Sequence, residues 1–185
     1  DDERNYLILT LFIEEGEQYI YEGMEIEGNT LFTDEELLDV VTHREGEVID
    51  KTKLEGDFLR LADIYYNEGY IYNQITREPV RDEENNTIRY KVEIVEQGRA
   101  HIENIIVQGN DKTKDFVIYR ELPFEMGGVF SKQKIMEGLQ NLYNTGLFSS
   151  VTPTTPMGSV DGLMDLVINV EEAKTIDLNF GVTFS

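Results

Sequence analysis

Few side chains in this sequence have the types and spacing that catalysis or metal binding requires. The two histidines, His43 and His101, lie far apart, neither has a second histidine at metal-ligand spacing, and we expect both at the surface. Gly127-Gly128 lacks the Lys-Ser/Thr of a phosphate-binding loop, and Asp82–Glu84 is much shorter than a calcium-binding loop. Cysteine is absent, which removes thiolate and disulfide chemistry. We therefore predict no catalytic, cofactor-binding or metal-binding residues.

Carboxylates are abundant, with 37 Asp plus Glu against 16 Lys plus Arg and a formal net charge of −21 at pH 7. Their charge repels nucleic acid and favours basic partners. No pair lies in an apolar stretch that would separate two pKa values into a catalytic acid and base. A small hydrolase with paired carboxylates remains an alternative, and it predicts a concave pocket that holds carboxylates of raised pKa.

The strongest signal in the chain is the repetition of one larger unit. Each copy opens with a strand that ends in Gly-Asn, at Met24–Asn29 and at Ile105–Asn110. Each copy also ends its second helix with YNxG, at Tyr66–Gly69 and at Tyr143–Gly146. A strand-ending phrase occurs three times, as LTLFIEEGE, KVEIVEQGR and LVINVEEAK. We interpret the chain as part of an array of small domains, with most of the first domain lying upstream.

Local patterns predict how the first repeat begins. Alternation over Tyr19–Glu27 predicts a strand, and a change of face within it predicts a bulge near Gly23. Gly28-Asn29 then supplies a turn, because both residue types tolerate a positive φ. Thr33 and Glu36 have the spacing of a capping box, which predicts the start of a short helix.

Similar local patterns predict the remaining helix and strands of the first repeat. Asp50 is placed to cap a longer helix with apolar residues at spacings of three or four, and Gly69 ends it. Strands are predicted over Tyr70–Thr76, ended by Pro79, and over Ile88–Val95. The order of elements is therefore β-α-α-β-β.

The second repeat keeps this order with four residues, about one helical turn, missing from its long helix. The predicted fold class is α+β, with two tandem domains that each pack two helices on one face of a three-stranded mixed sheet. The last strand of each domain is expected at the centre of its sheet, since Leu166–Val170 is almost continuously apolar. The predicted parts are the closing strand of a preceding domain (1–16), two domains (17–97 and 98–172) and a terminal segment (173–185).

The terminal segment alternates strictly between apolar and polar residues over Thr175–Ser185. This length and alternation match a transmembrane β-barrel strand, but the same pattern also occurs in half-exposed strands of soluble sheets. On spacing alone, the soluble interpretation is favoured.

These features together resemble the polypeptide-transport-associated (POTRA) domains of outer-membrane β-barrel assembly factors. The resemblance extends over nearly the whole chain and rests on the element order, the Gly-Asn turns and the helix end at Tyr66–Tyr70. The second repeat looks like the last such domain before the barrel, on the sequences at Gly109–Leu122 and Tyr143–Phe148. It departs from the family pattern at Leu147, where an aromatic is usual, and in its acidity. In this context the terminal segment is interpreted as the start of the first barrel strand.

The resemblance implies a non-enzymatic periplasmic arm at the periplasmic face of the outer membrane, without a cofactor. The implied partners are unfolded outer-membrane proteins, accessory lipoproteins and the protein's own C-terminal β-barrel. The arm of a two-partner secretion transporter, or of a translocation-assembly homologue, is the alternative within the same fold. The number of upstream domains would discriminate between them, since two-partner transporters usually have two in all.

An open sheet edge can bind unfolded strands through the main chain. The candidate edge for such clients lies in the first repeat and comprises Ile71, Tyr72, Asn73, Gln74, Ile75 and Thr76. Leu61 and Tyr65 are the candidate groove residues beside it. In the second repeat, Pro153 and Pro156 remove donors and are expected to blunt the matching edge.

A docking site for an accessory lipoprotein is implied by the resemblance at Arg120 and Glu121, which match an Arg-Glu pair at the end of the first helix in the family. A solvated charge pair at a helix end is the alternative interpretation of these two residues.

Overall fold

The computed structural model describes residues 9–12 and 17–174, and these form two copies of a β-α-α-β-β unit. The first repeat contains strand β1 (Ile20–Glu27), helices α1 (Asp34–Asp39) and α2 (Lys51–Asn67), and strands β2 (Gln74–Asp82) and β3 (Thr87–Val95). The second repeat contains β4 (His101–Gln108), α3 (Asp115–Tyr119), α4 (Lys132–Asn144), β5 (Phe148–Thr154) and β6 (Leu163–Glu172).

Each repeat forms its own three-stranded mixed sheet, with strand orders β1-β3-β2 and β4-β6-β5. The last strand lies at the centre, parallel to the first strand and antiparallel to the second. This confirms the predicted fold class. Because the central strand is paired on both sides, the first and second strands of each repeat form the sheet edges.

The core of each repeat is an apolar cluster between its sheet and its helices. In the first repeat, Leu54, Phe58 and Leu61 of α2 are buried against a cluster that includes Val92 and Ile94 of β3. Their spacing of three or four residues puts them on one side of the helix, as predicted. The second repeat builds the same cluster from its own helices and sheet.

The predicted local signals at the start of the first repeat are confirmed. The register between β1 and β3 shifts between Tyr21 and Met24, which is the bulge expected near Gly23. Thr33 and Glu36 form a capping box, in which each side chain accepts a hydrogen bond from the other residue's backbone N–H. Asp50 caps α2 by accepting hydrogen bonds from the backbone N–H groups of the next turn.

The predicted second strand is wrong at both ends, because β2 begins at Gln74 and continues through Pro79 to Asp82. Gly69 has φ +88°, and the Tyr70 N–H donates to the Tyr65 carbonyl, so the chain is still leaving the helix at these positions. Pro79 lies opposite Tyr90 in an unbroken register. A proline is tolerated there because β2 is an edge strand.

Two predicted strands lie at the ends of the chain. The closing strand of a preceding domain, over 1–16, falls mostly outside the described residues, and the barrel strand over 175–185 falls entirely outside them. In the part of the chain that the structure describes, no helix has the length and apolar character needed to cross a membrane.

The end of α2 contacts the second repeat directly. The Ala100 N–H donates to the Gly69 carbonyl oxygen at 2.8 Å, and the Gln133 N–H donates to Asn67 Oδ1 at 2.8 Å. Gly69 fits closely here, since a Cβ at this position would lie 2.6 Å from Val129 Cγ1. The helix-ending glycine therefore also forms the junction between the two repeats.

Replacing Gly69 with alanine is expected to lower the free energy of unfolding by about 2–4 kcal/mol, because backbone strain at positive φ adds to the clash at the junction. Gly146→Ala is the matched control: Gly146 has φ +71°, and among the described residues a Cβ there meets nothing within 4 Å. Chemical denaturation of both variants measures the difference. Equal losses in the two variants would show that the junction contact contributes nothing.

Candidate functional site

The outer side of β2 is a free main-chain edge. β2 pairs only with β3, and in the described part of the chain its residues make no backbone hydrogen bond outside that ladder. Because a proline is tolerated where its missing N–H faces the free side, Pro79 indicates which residues face outward. By the alternation of a strand, Ile75, Arg77 and Arg81 then present their N–H groups to solvent.

Only half of the predicted client edge lies on this strand. Gln74, Ile75 and Thr76 belong to β2, whereas Ile71, Tyr72 and Asn73 lie before it. These three residues are not in the strand because the chain needs all the residues between the end of α2 and Gln74 to leave the helix. Asn73 instead accepts a hydrogen bond from the Gln97 N–H at 2.7 Å through its side chain, and so ties this segment to the end of β3. The candidate edge moves to Gln74–Asp82.

The predicted groove residues are also corrected. Leu61 and Tyr65 are both 0% exposed, because α2 packs over the central strand instead of beside β2. The Tyr65 hydroxyl donates to Glu96 at 3.0 Å, and burial raises the pKa of Tyr65 above its usual range. The contact between β2 and the helix side comes instead from Arg77 of β2, whose guanidinium lies 4.5 Å from the centre of the Phe58 ring.

The matching edge of the second repeat is shorter, with seven residues in β5 against nine in β2. Pro153 lies within β5, opposite Ile168, and the carbonyl of Pro156 accepts a hydrogen bond from the Asp165 N–H at 3.0 Å. Both edge strands therefore contain a proline, so the difference between the repeats is smaller than the sequence alone indicates.

Arg120 and Glu121 follow α3 directly, on the surface of the second repeat. Arg120 Nε lies 2.9 Å from Glu121 Oε1, and the side chains are 62% and 29% exposed, respectively. The Glu121 carbonyl accepts a hydrogen bond from the Asn141 side chain at 3.1 Å, which holds this turn against α4. An exposed pair of this kind contributes about 0–1 kcal/mol, so Glu121 is able to exchange Arg120 for a cation on a partner.

Sequence reasoning missed a buried carboxylate, Asp57. Its two oxygens accept hydrogen bonds from the Thr42 N–H at 2.7 Å and the His43 N–H at 3.0 Å, and Arg60 forms an ion pair with it. Burial by itself raises the pKa of Asp57, but these hydrogen bonds outweigh burial and hold the pKa below its usual range. The available signal was its position on the apolar face of α2, three residues after Leu54.

His43 is also corrected, since it is 3% exposed and not a surface residue. Its ring packs 4.9 Å from that of Tyr21, and its Nε2 lies 3.3 Å from the Val48 carbonyl oxygen. The same network that buries Asp57 fixes the loop carrying His43. This cluster supports the structure of the first repeat.

Two further carboxylates hold the Gly-Asn turns. Glu96 accepts hydrogen bonds from the backbone N–H groups of Thr30 and Leu31, and Glu172 does the same for Lys112 and Thr113. The pKa of Glu172 is lowered chiefly by its hydrogen bond from Thr113. Hydrogen bonds lower the pKa of seven described carboxylates: Glu36, Glu47, Asp57, Asp82, Glu96, Glu103 and Glu172. The hydrolase alternative, which requires a raised carboxylate pKa, gains no support.

The geometry defines a class of protein: tandem α+β modules with open sheet edges. A family model described as POTRA, "Surface antigen variable number repeat", matches residues 19–97 and 100–173. The chain therefore belongs to the POTRA family.

Curated relatives extend this comparison. Over its full length the chain is 42% identical to a protein of Treponema pallidum (strain Nichols), named provisionally as an outer membrane protein assembly factor. It is 27% identical, again over 100% of the chain, to the outer membrane protein assembly factor BamA of Nitratidesulfovibrio vulgaris (strain Hildenborough). The chain spans 22% and 24% of these two relatives, so it corresponds to about a quarter of their length.

Among solved structures, the chain is similar to Haemophilus influenzae BamA POTRA3-5, with a TM-score of 0.75 and 21% identity. That match includes 85% of this chain and 63% of the other. It is also similar to Haemophilus ducreyi BamA lacking POTRA domains 1-3, with a TM-score of 0.71 and 25% identity over 84% of this chain and 30% of the other.

Proposed function

We propose that this chain is the periplasmic interaction arm of an outer-membrane protein assembly factor, lying at the periplasmic face of the outer membrane. It receives unfolded outer-membrane proteins by β-strand augmentation and docks accessory lipoproteins. The proposal includes attachment to the protein's own C-terminal β-barrel, with the second repeat as the last domain before it. The names of the relatives support this assignment, and the observation that carries it is the free edge of β2.

The proposed mechanism follows from the main chain. An unfolded barrel protein exposes backbone donors and acceptors that its own sheet will later pair. The free N–H and C=O groups of β2 pair with such a strand whatever its side chains are, so one edge serves many clients. The acidic surface keeps the arm soluble and disfavours anionic surfaces.

Ile75→Pro is expected to weaken binding of a client strand, because it removes an outward N–H without breaking the ladder to β3. One hydrogen bond contributes about 0.5–1.5 kcal/mol net, which corresponds to an affinity roughly three- to tenfold lower. Fluorescence anisotropy with a labelled peptide of alternating apolar and polar residues, as in a transmembrane β-strand, measures the change.

The matched control is Ile75→Ala, which loses the partly buried side chain but keeps the donor. Circular dichroism establishes that both variants remain folded. Equal affinities for the proline and alanine variants would contradict strand pairing at this edge.

Glu121→Lys is expected to weaken docking of an accessory lipoprotein, because it replaces the carboxylate with a cation at a partly exposed position. Removing one charge-assisted contact lowers affinity by about tenfold or more. A pull-down with the lipoproteins of the same cell envelope tests this. Glu35→Lys, an equal charge change on α1 of the first repeat, is the control, and equal loss in both variants would indicate a general charge effect.

A further inference from the structure

The two repeats have the same surface groove at equivalent positions. The first groove is about 290 Å³ and the second about 270 Å³. The first is lined by, among others, Met24, Leu38, Val41, His43, Arg44 and Glu45. The second is lined by Ile105, Tyr119, Leu122, Phe124, Glu125 and Met126, each 81 positions after its counterpart. The fold therefore generates this groove in each repeat.

The second groove lies against the outer edge of β4, on the opposite side of the sheet from β5. The register between β4 and β6 shifts at a bulge between Ile102 and Ile105. Before this bulge, the chain's own loop already pairs with the edge: the Ile102 N–H donates to the Gly128 carbonyl oxygen at 2.9 Å, and the Gly127 N–H donates to the Ile102 carbonyl oxygen at 2.7 Å. Past the bulge, Ile105–Gln108 has no such backbone partner in the described part of the chain. The Tyr119 hydroxyl donates a hydrogen bond to the Ile105 carbonyl oxygen at 3.2 Å, so this carbonyl points outward, and a client strand would have to displace the hydroxyl in order to pair with it.

The chemistry of the groove differs between the repeats. Arg44 and Glu45 of the first groove are replaced by Glu125 and Met126 in the second, and Phe124 takes the place of His43. The first repeat shows that the fold tolerates a polar lining at these positions. An apolar lining is thus not a requirement of folding.

The change extends into the core. In the first repeat, the Asp57 carboxylate accepts hydrogen bonds from the backbone N–H groups of Thr42 and His43. In the second repeat Gly138 faces the corresponding loop, and a Cβ there would lie 2.9 Å from the Phe124 ring and 3.1 Å from Pro123. Beneath its groove, the second repeat therefore has aromatic packing where the first repeat has a buried polar network.

The apolar surface of the second groove remains open to solvent. Met126 is 64% exposed and Tyr119 is 42% exposed. Exposed apolar surface beside a cavity is typical of a binding site. Since the free edge of β4 borders the same groove, an occupant that satisfies both must present an unpaired main chain together with an apolar side chain.

We propose that the second groove and the edge Ile105–Gln108 bind a second extended segment of an unfolded client, one with alternating apolar residues. The segment continues the antiparallel pairing that the loop at Val129 begins on β4, and it places one large apolar side chain between Tyr119 and Met126. A helix or a folded surface satisfies its own main chain and so leaves the edge unpaired. This inference rests on the proposed function, and it adds a client site outside β2.

The test exchanges the linings of the two grooves. Tyr119→Leu, Glu125→Arg and Met126→Glu together give the second groove the residues of the first at three of the six equivalent positions. The probe is a labelled ten-residue peptide of alternating apolar and polar residues, studied by backbone amide NMR of the 185-residue chain. Losing one buried apolar side chain is expected to weaken binding at this site by about tenfold or more. Shifts at Ile105 and Val107 should disappear, while those at Ile75 persist.

The reciprocal exchange, Leu38→Tyr, Arg44→Glu and Glu45→Met, is expected to create binding along Met24–Glu27 of β1. A version of the peptide in which every second residue is N-methylated is expected to lose binding at the edges of both β2 and β4. It lacks the backbone N–H groups that are needed to complete the hydrogen-bond ladder. Unchanged shifts at Ile105 in the first triple variant, equal binding of the methylated peptide, or dimerisation through this face would overturn the inference.

The results also separate this inference from the proposed function. A peptide that perturbs the β2 amides but not those of β4 overturns the inference and leaves the proposed function standing. A peptide that perturbs neither edge contradicts both.

Discussion

Replacing Asp57 with alanine is expected to destabilise the first repeat by about 2–5 kcal/mol, because two backbone N–H groups lose their acceptor at about 1–3 kcal/mol each. The carboxylate is 0% exposed and accepts hydrogen bonds from the backbone of Thr42 and His43. Without it, both N–H groups remain buried without an acceptor. Hydrogen exchange resolved by residue measures the loss, because it reports the two repeats separately. The amides of β3 should exchange faster, and those of β6 should change little.

The same carboxylate predicts a dependence of stability on pH. The pKa of Asp57 is lower in the folded state than its ordinary value of 3.8, so its contribution is present above that value and is lost as pH falls through the folded pKa. Asp57→Asn removes this contribution at all pH values and should flatten the acid limb of stability below about pH 4. Glu35→Ala, at an exposed position of α1, is the control. A loss below about 1 kcal/mol for Asp57→Ala would contradict the role assigned to the cluster.

Alanine at Gly28 or Gly109 is expected to have an effect of similar size. A Cβ at Gly28 would overlap the Ile94 carbonyl oxygen, and one at Gly109 would overlap that of Val170. The strain of a positive φ, about 1–2 kcal/mol, adds to a shift of the central strand, for a total of about 3–5 kcal/mol. Each substitution should destabilise only its own repeat, as measured by denaturation with domain-resolved exchange.

Gly46 and Gly127 supply matched controls for this pair. They have φ +87° and +80°, and in the described structure a Cβ at either position meets nothing within 4 Å. Alanine there is expected to add only the backbone strain. If Gly28→Ala and Gly46→Ala proved equally destabilising, close packing of the Gly-Asn turn against the central strand would be ruled out as the cause.

Much of the fold was predictable because its signals are local. The Thr33 capping box, the Asp50 cap and the bulge beside Gly23 each depend on residues a few positions apart. The repeat added the topology, since two copies of one pattern predict one architecture twice. The central position of the third strand followed from its continuous apolar character.

The errors arose where position depends on distant packing. Leu61 and Tyr65 show a helical apolar spacing, but only the placement of α2 over β3 determines that they are buried core residues. The start of β2 depends on how many residues the chain needs to leave α2. A histidine at position 43 gives no sign of burial, because Asp57, the residue that anchors its loop, is 14 positions away.

The two equivalent grooves also could not be predicted from the sequence. Their linings come from β1, α1 and the following loop, and their shared offset becomes visible only when the structure brings these segments together. The contrast between Glu45 and Met126 then shows that the fold does not require the apolar lining of the second groove.

The central claim is that free main-chain groups at the sheet edges pair with unfolded client strands. Amide hydrogen exchange of the chain, with and without an unfolded outer-membrane protein segment, tests it most directly. The account predicts slower exchange at Ile75, Arg77 and Arg81 of β2 when the segment is present. Protection confined to helices or sheet faces, with these amides unchanged, would contradict it.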